Sequence, residues 1–185
     1  MDFANYQLIF EHIINNPEPP APYNNPDYLN YARLNWSRQQ RWFKTGIITP
    51  EMREAIARIT EPQQWIIITE PWCGDAAHNI PFFEMIAALN PLITTAYRQR
   101  DTPPFLIEQY LTNGTKSIPK LIARDANGND LFTWGPRPAG CQAVYDQLKA
   151  ENADFERMKT DIQKWYNEDK GQSLQRELLS VLTYA

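Results

Sequence analysis

Glu70-Pro71-Trp72-Cys73-Gly74-Asp75-Ala76 is the stretch on which the fold turns. It follows an unbroken apolar run, Trp65-Ile66-Ile67-Ile68, and precedes a helical pattern, so a buried strand is expected to give way to a helix at Cys73. A helix start presents unpaired N–H groups and the positive end of the peptide dipole, which stabilise an anion; here the available anion is a cysteine thiolate. Asp75 works against it, because a nearby carboxylate disfavours a second negative charge and raises the thiol pKa. The local reading is a candidate nucleophile, partly exposed at a loop, with Trp72 forming the rim of a groove.

Outward from this stretch, strands and helices alternate. Gln64 to Thr69 reads as a buried strand and Asp75 to Leu89 as a helix interrupted by Pro81, where a missing hydrogen bond bends the axis. Leu92 to Arg98 is a second strand, and Thr102-Pro103-Pro104 opens a predicted helix running to Gly114. Pro119 to Arg124 and Asp130 to Trp134 are apolar runs joined by Ala126-Asn127-Gly128-Asn129, a strong hairpin signal. Trp134-Gly135-Pro136-Arg137-Pro138 then ends the strand, and a helix follows with Cys141, Val144, Tyr145 and Leu148 on one face.

Both flanks read as helical. Tyr6, Ile9, Phe10 and Ile13 recur at helical spacing. Asn25 and Pro26 start a second helix with the face Leu29, Ala32, Trp36 and Phe43, stopped by Gly46, and Thr49 and Pro50 start a third. After residue 150 come two more helices, one with Phe155, Met158, Ile162 and Trp165 and one with Leu174, Leu178, Val181 and Leu182. The predicted organisation is an α/β core over 61–150, an N-terminal helical extension over 1–60 and a C-terminal one over 151–185, in one compact domain.

Composition narrows the function. The 185 residues carry a net charge of -4 with no basic stripe, which argues against nucleic acid as a partner. No apolar run approaches the roughly 20 residues that span a bilayer, and the first residues lack a signal-peptide profile, so a cytoplasmic protein with no membrane partner is expected. Two cysteines and two histidines supply no zinc-ligand spacing, and no phosphate-cradling glycine-rich loop occurs. Neither a metal nor a bound cofactor is required. The sequence does not set an oligomeric state.

The order strand, helix, strand, helix, hairpin, helix, with Trp72-Cys73-Gly74 at the first strand-to-helix junction, resembles the thioredoxin family. Pro81 sits where that family's active-site helix carries a proline, Ser117-Ile118-Pro119 stands where its cis-proline motif precedes a hairpin strand, and Gly135 ends the last strand beside the substrate groove. With Ser-Ile-Pro-Lys and Trp-Gly-Pro-Arg-Pro, the chain also resembles a bacterial thioredoxin-like subfamily with helical additions at both ends. The resemblance implies a thioredoxin-like fold, with a mixed central sheet flanked by helices, and a groove lined by Trp72, Gly74, Ile118, Pro119 and Gly135. One departure matters. Ala76 occupies the position of the second cysteine, the thiol that resolves a mixed disulfide, so the ordinary dithiol cycle cannot run within the motif.

Two functions follow. In one, Cys73 acts as a monothiol oxidoreductase on a protein disulfide or a peroxide, forming a mixed disulfide or a sulfenic acid that a low-molecular-weight thiol or another protein resolves. In the other, the site is degenerate and the groove is a non-enzymatic peptide or protein binding module. Arg137 is a candidate for holding a thiolate or a substrate carboxylate, against the simpler reading of a solvated arginine. Cys141, on an apolar face, is expected to pack, and His78 to lie at the surface.

Overall fold

The computed structural model describes residues 1–182. Gln63–Thr69 (β1) runs parallel to Ile93–Gln99 (β2) on one side and antiparallel to Lys120–Arg124 (β3) on the other. β3 pairs antiparallel with Asp130–Trp134 (β4), giving one mixed sheet in the order β2-β1-β3-β4. Trp65 to Ile68 are buried without alternation, as expected for a central strand covered on both faces. The β3–β4 turn closes on itself: the Gly128 N–H donates to the Asp125 carbonyl at 3.1 Å, with Gly128 at φ +85, a conformation that favours glycine.

The helices are Phe3–Asn15 (α1), Pro26–Thr45 (α2), Pro50–Ala57 (α3), Gly74–Ala87 (α4), Ala139–Ala150 (α5), Phe155–Asp169 (α6) and Gln172–Leu182 (α7). Two start at the residues whose chemistry announces them: Asn25 Oδ1 accepts from the Asp27 N–H and Thr49 Oγ1 from the Met52 N–H. Helix α4 makes the crossover that the parallel β1–β2 pair requires, and α2 lies against it. Tyr6 of α1 stacks on Tyr97 of β2 with ring centroids 4.8 Å apart, while α7 packs on α3 and β4, where Trp134 Nε1 donates to Glu177. One contiguous apolar cluster runs from Tyr6 and Phe10 through the sheet to Leu174 and Leu178. Each large side chain fully buried in it contributes about 1.5–3 kcal/mol of transfer free energy.

Two expectations are corrected. No helix spans Thr102 to Gly114; the segment holds a single 3-10 turn, Leu106–Gln109, entered through Phe105 at φ +53. Pro103 and Pro104 offer no N–H, and the left-handed Phe105 breaks the helical run before it can propagate. The inward face of α2 also differs. Leu29, Trp36 and Phe43 are half-buried, and the buried set is Ala32, Asn35, Arg38, Gln39 and Trp42. That polar row lies over the start of α4, where backbone groups need partners.

Candidate functional site

The register of β1 on β3 brings the site together. Ile68 pairs with Lys120, so the chain leaving β1 through Glu70 to Trp72 and the chain entering β3 through Ser117 to Pro119 emerge side by side. β4 adds Gly135 to the same end, since Trp134 pairs with Leu121. Gly135 sits at φ +118, and a β-carbon there would stand 2.1 Å from the Pro119 carbonyl oxygen. Only glycine fits, and its absent side chain is what lets β4 close on the Ile118–Pro119 segment, whose peptide bond is cis.

Cys73 is the N-cap of α4, with Sγ accepting from the Ala76 N–H at 3.4 Å. The thiol donates in turn to the Ile118 carbonyl at 3.2 Å. The residue is only 6% exposed, which corrects the expectation of a partly exposed sulfur. Burial, and after it the Asp75 charge, pushes the Cys73 pKa up to about 12, against the smaller opposing pull of the Ala76 N–H and Arg137. A helix N-terminus does not offset the loss of water around a sulfur so enclosed.

Arg137 reaches this region from the segment after β4. Its Nη2 and Nε donate to Asp75 Oδ2 at 2.7 and 3.1 Å, and its guanidinium lies 4.1 Å from the Tyr145 ring centroid. Burial works against the Arg137 charge, but Asp75 beside it holds the pKa above the ordinary arginine value. The other Asp75 oxygen accepts from the Tyr166 hydroxyl at 2.7 Å, and Asn79 Nδ2 donates to the Tyr166 oxygen at 3.1 Å. Helices α4 and α6 and the β4–α5 segment are thereby tied through one carboxylate. Cys141 is fully buried near this network, its pKa pushed up to about 12 by burial first and Asp75 second.

His78 is not a surface residue. It is 3% exposed, accepts at Nδ1 from Trp42 Nε1 at 2.9 Å and stacks on Tyr166 with centroids 4.2 Å apart. Burial, followed by the nearby Arg38 and Arg41 charges, pushes its pKa well below the imidazole range, so it is a neutral packing residue joining α2, α4 and α6.

Above Cys73 opens a cleft of about 690 Å³. The turn residue Trp72, under the Arg100 guanidinium at 4.6 Å, forms one edge, and Ser117 and Ile118 another. Arg137 and Tyr145 line it as well, and further walls come from the terminal parts of the chain: Tyr31 and Arg38 of α2, and Phe155, Met158 and Ile162 of α6. Gly74 lets Tyr31 approach; a β-carbon there would stand 2.4 Å from the Tyr31 hydroxyl. Asn35 ties α2 to the site loop, with Nδ2 donating to the Pro71 carbonyl at 3.1 Å and Oδ1 accepting from Arg38 Nη1 at 2.8 Å.

Tyr31, Asn35, Arg38 and Tyr166 were not among the residues singled out from sequence. The available signal was the row Ala32, Asn35, Arg38, Gln39 and Trp42, a coherent helix face once polar residues are admitted to it. Among the described residues, no group of three or more His, Cys, Asp or Glu side chains is placed to hold a metal ion, and no helix is long and apolar enough to cross a membrane.

A family model described as thioredoxin matches residues 23–149, a span that includes α2 and α3 as well as the sheet. No curated protein matches the chain. Among solved structures, an HIV epitope scaffold is similar at 17% identity and a TM-score of 0.58, covering 100% of this chain and 99% of that one. A protein of unknown function from Pseudomonas aeruginosa is similar at 17% identity and a TM-score of 0.52, covering 93% of this chain and 99% of that one.

Proposed function

This chain belongs to the thioredoxin family, and from that premise we propose that it is a binding module whose cleft takes a short peptide or an organic molecule of similar size above a thiol that stays protonated. One observation carries the reading: the buried Cys73 thiol donates its hydrogen to the Ile118 carbonyl. A sulfur in that role is a proton donor, whereas a redox nucleophile must be a thiolate. The resolving position holds Ala76, and Cys141 is fully buried beside the Asp75–Arg137–Tyr166 network. A cleft of about 690 Å³ whose walls combine aromatic and apolar side chains with charged ones has the size of a ligand site. Its walls include α2 and α6, which gives the terminal helices a role in enclosing what binds.

The test is the rate of alkylation of Cys73 by iodoacetamide against pH, followed by peptide mass. A thiol held to about 12 reacts roughly a thousandfold more slowly near pH 8 than an ordinary cysteine, and its rate rises about tenfold per pH unit without a plateau up to about pH 10. A plateau below about 8.5 would sink the binding reading. It would favour the monothiol oxidoreductase, in which the Cys73 thiolate attacks a disulfide, one sulfur leaves as a thiolate, and a second thiol resolves the mixed disulfide on Cys73.

A further inference from the structure

The cleft lining holds more basic than acidic side chains although the chain as a whole is acidic. Five are basic, Arg38, Arg100, Lys116, Arg137 and Lys159, against two carboxylates, Asp27 and Asp75, while the chain as a whole carries -4. Four of the five have an acidic partner: Arg100 with Asp101, Lys116 with Glu108, Arg137 with Asp75 and Lys159 with Glu156. Among the described residues Arg38 has none. It is 7% exposed, its Nη1 is spent on the neutral Asn35, and its Nε–H is buried with no hydrogen-bond partner.

A buried guanidinium is ordinarily paired, because both its charge and each N–H lose water on burial. Tyr31 supplies its ring face, 5.3 Å from the Arg38 guanidinium carbon, and a hydroxyl beside the guanidinium, which are neutral partners and leave the charge without a carboxylate. Arg38 also lines the cleft. Arg38 Nη1 lies 3.7 Å from where a β-carbon on Gly74 would stand, at the N-terminus of the 14-residue α4, whose dipole adds to the positive potential. Around this charge the walls are apolar and aromatic: Tyr31, Trp72, Phe155, Met158 and Ile162.

Building on the binding-module reading, we infer that Arg38 is the anchor for a carboxylate on an apolar or aromatic body, the carboxylate accepting from the guanidinium at the start of α4 and the body lying between α2 and α6. A planar guanidinium suits a planar carboxylate, and the enclosed site strengthens the charge-assisted bonds. The ligand's carboxylate is either that of a small organic acid or the C-terminus of a peptide; the chemistry at Arg38 is the same for both.

The experiment follows the Arg38 Nε–Hε resonance by nitrogen-15 NMR on the full chain. The probes are 3-phenylpropanoate and benzoate, the neutral 3-phenylpropanamide, and acetyl-Ala-Ala-Phe with a free or an amidated C-terminus. The acids are expected to move the Nε–Hε resonance and to bind at least about tenfold more tightly than the matching amides. Arg38→Gln is expected to abolish that preference while apolar contacts persist. If Arg38→Gln does not fold, the acid-against-amide comparison in the wild-type protein decides alone. The tighter of the small acid and the free-carboxyl peptide identifies the ligand's source. Equal binding of acid and amide, an unmoved Nε–Hε signal, or no binding of any acid overturns the inference. Equal binding with shifts confined to cleft residues leaves a binding module for uncharged ligands standing, whereas a low plateau in Cys73 alkylation removes the module itself.

Discussion

Raising the pH from about 8 to about 10 is expected to destabilise this protein through its two buried thiols, and deleting the thiols to remove that loss. Cys73 and Cys141 each keep their proton up to about 12, in both cases because burial and then the Asp75 charge oppose the thiolate, whereas the ordinary value is 9.0. In the unfolded chain the same groups ionise near the ordinary value. The unfolded state therefore sheds protons that the native state retains, and the stabilisation, fully present below about 9, is lost progressively as pH rises toward about 12. At about 1.36 kcal/mol per pH unit beyond the unfolded value, each thiol accounts for about 1.4 kcal/mol by pH 10, and the pair for about 3 kcal/mol. Buried Tyr6, Tyr97 and Tyr166 shift in the same direction, but an unfolded tyrosine ionises only near 10, so they enter late. Lys120, lowered by burial, acts in the opposite sense, so the slope difference between proteins is the quantity to read. Urea unfolding of wild type, Cys73→Ala, Cys141→Ala and the double variant at a series of pH values supplies it. Each single variant is expected to lose about half of the thiol contribution and the double variant nearly all of it. Parallel stability curves for wild type and double variant would refute the reasoning, because they would mean that the native state does not hold those protons.

Three further outcomes follow from the same geometry. Gly135→Ala places a β-carbon against the Pro119 carbonyl at a φ of +118 and is expected to lose about 2–4 kcal/mol in urea or thermal unfolding; a loss within experimental error would mean that β4 does not approach the loop so closely. Asp75→Ala leaves Arg137 buried without its carboxylate, their side chains being 14% and 12% exposed respectively. It is expected to cost about 3–5 kcal/mol while accelerating Cys73 alkylation, because a charge that raises the thiol pKa is gone. His78, with its pKa lowered chiefly by burial, binds a proton in the unfolded chain before it does in the native one. Stability is thus expected to fall as pH drops below about 6.5, and His78→Gln to flatten that limb of the urea-stability profile.

By itself the sequence determined the parts of this protein that depend on neighbouring residues. Trp65 to Ile68 read as a buried strand, Asn127-Gly128 as a hairpin turn, and Asn25-Pro26 and Thr49-Pro50 as helix starts, and the structure places each there. The family resemblance carried by those elements together with Trp72-Cys73-Gly74 and Ser117-Ile118-Pro119 implied the thioredoxin-like fold and the meeting of Cys73 with the Ile118–Pro119 segment. Where a local pattern competed with backbone conformation it failed, as at Phe105, whose left-handed φ stops a helix that the apolar spacing favoured. Tertiary structure alone decided what the site is. Cys73 is buried and protonated because the loop before β3 offers it a carbonyl acceptor, while Asp75 lies in a network with Tyr166 from α6 and Arg137. Arg38 faces the cleft because α2 crosses the start of α4. The bonded partners lie 45 to 91 residues apart along the chain, so no spacing rule connects them. A thiol's pKa and an arginine's lack of a partner depend on how much water and which charges surround the group, and the folded arrangement alone sets both.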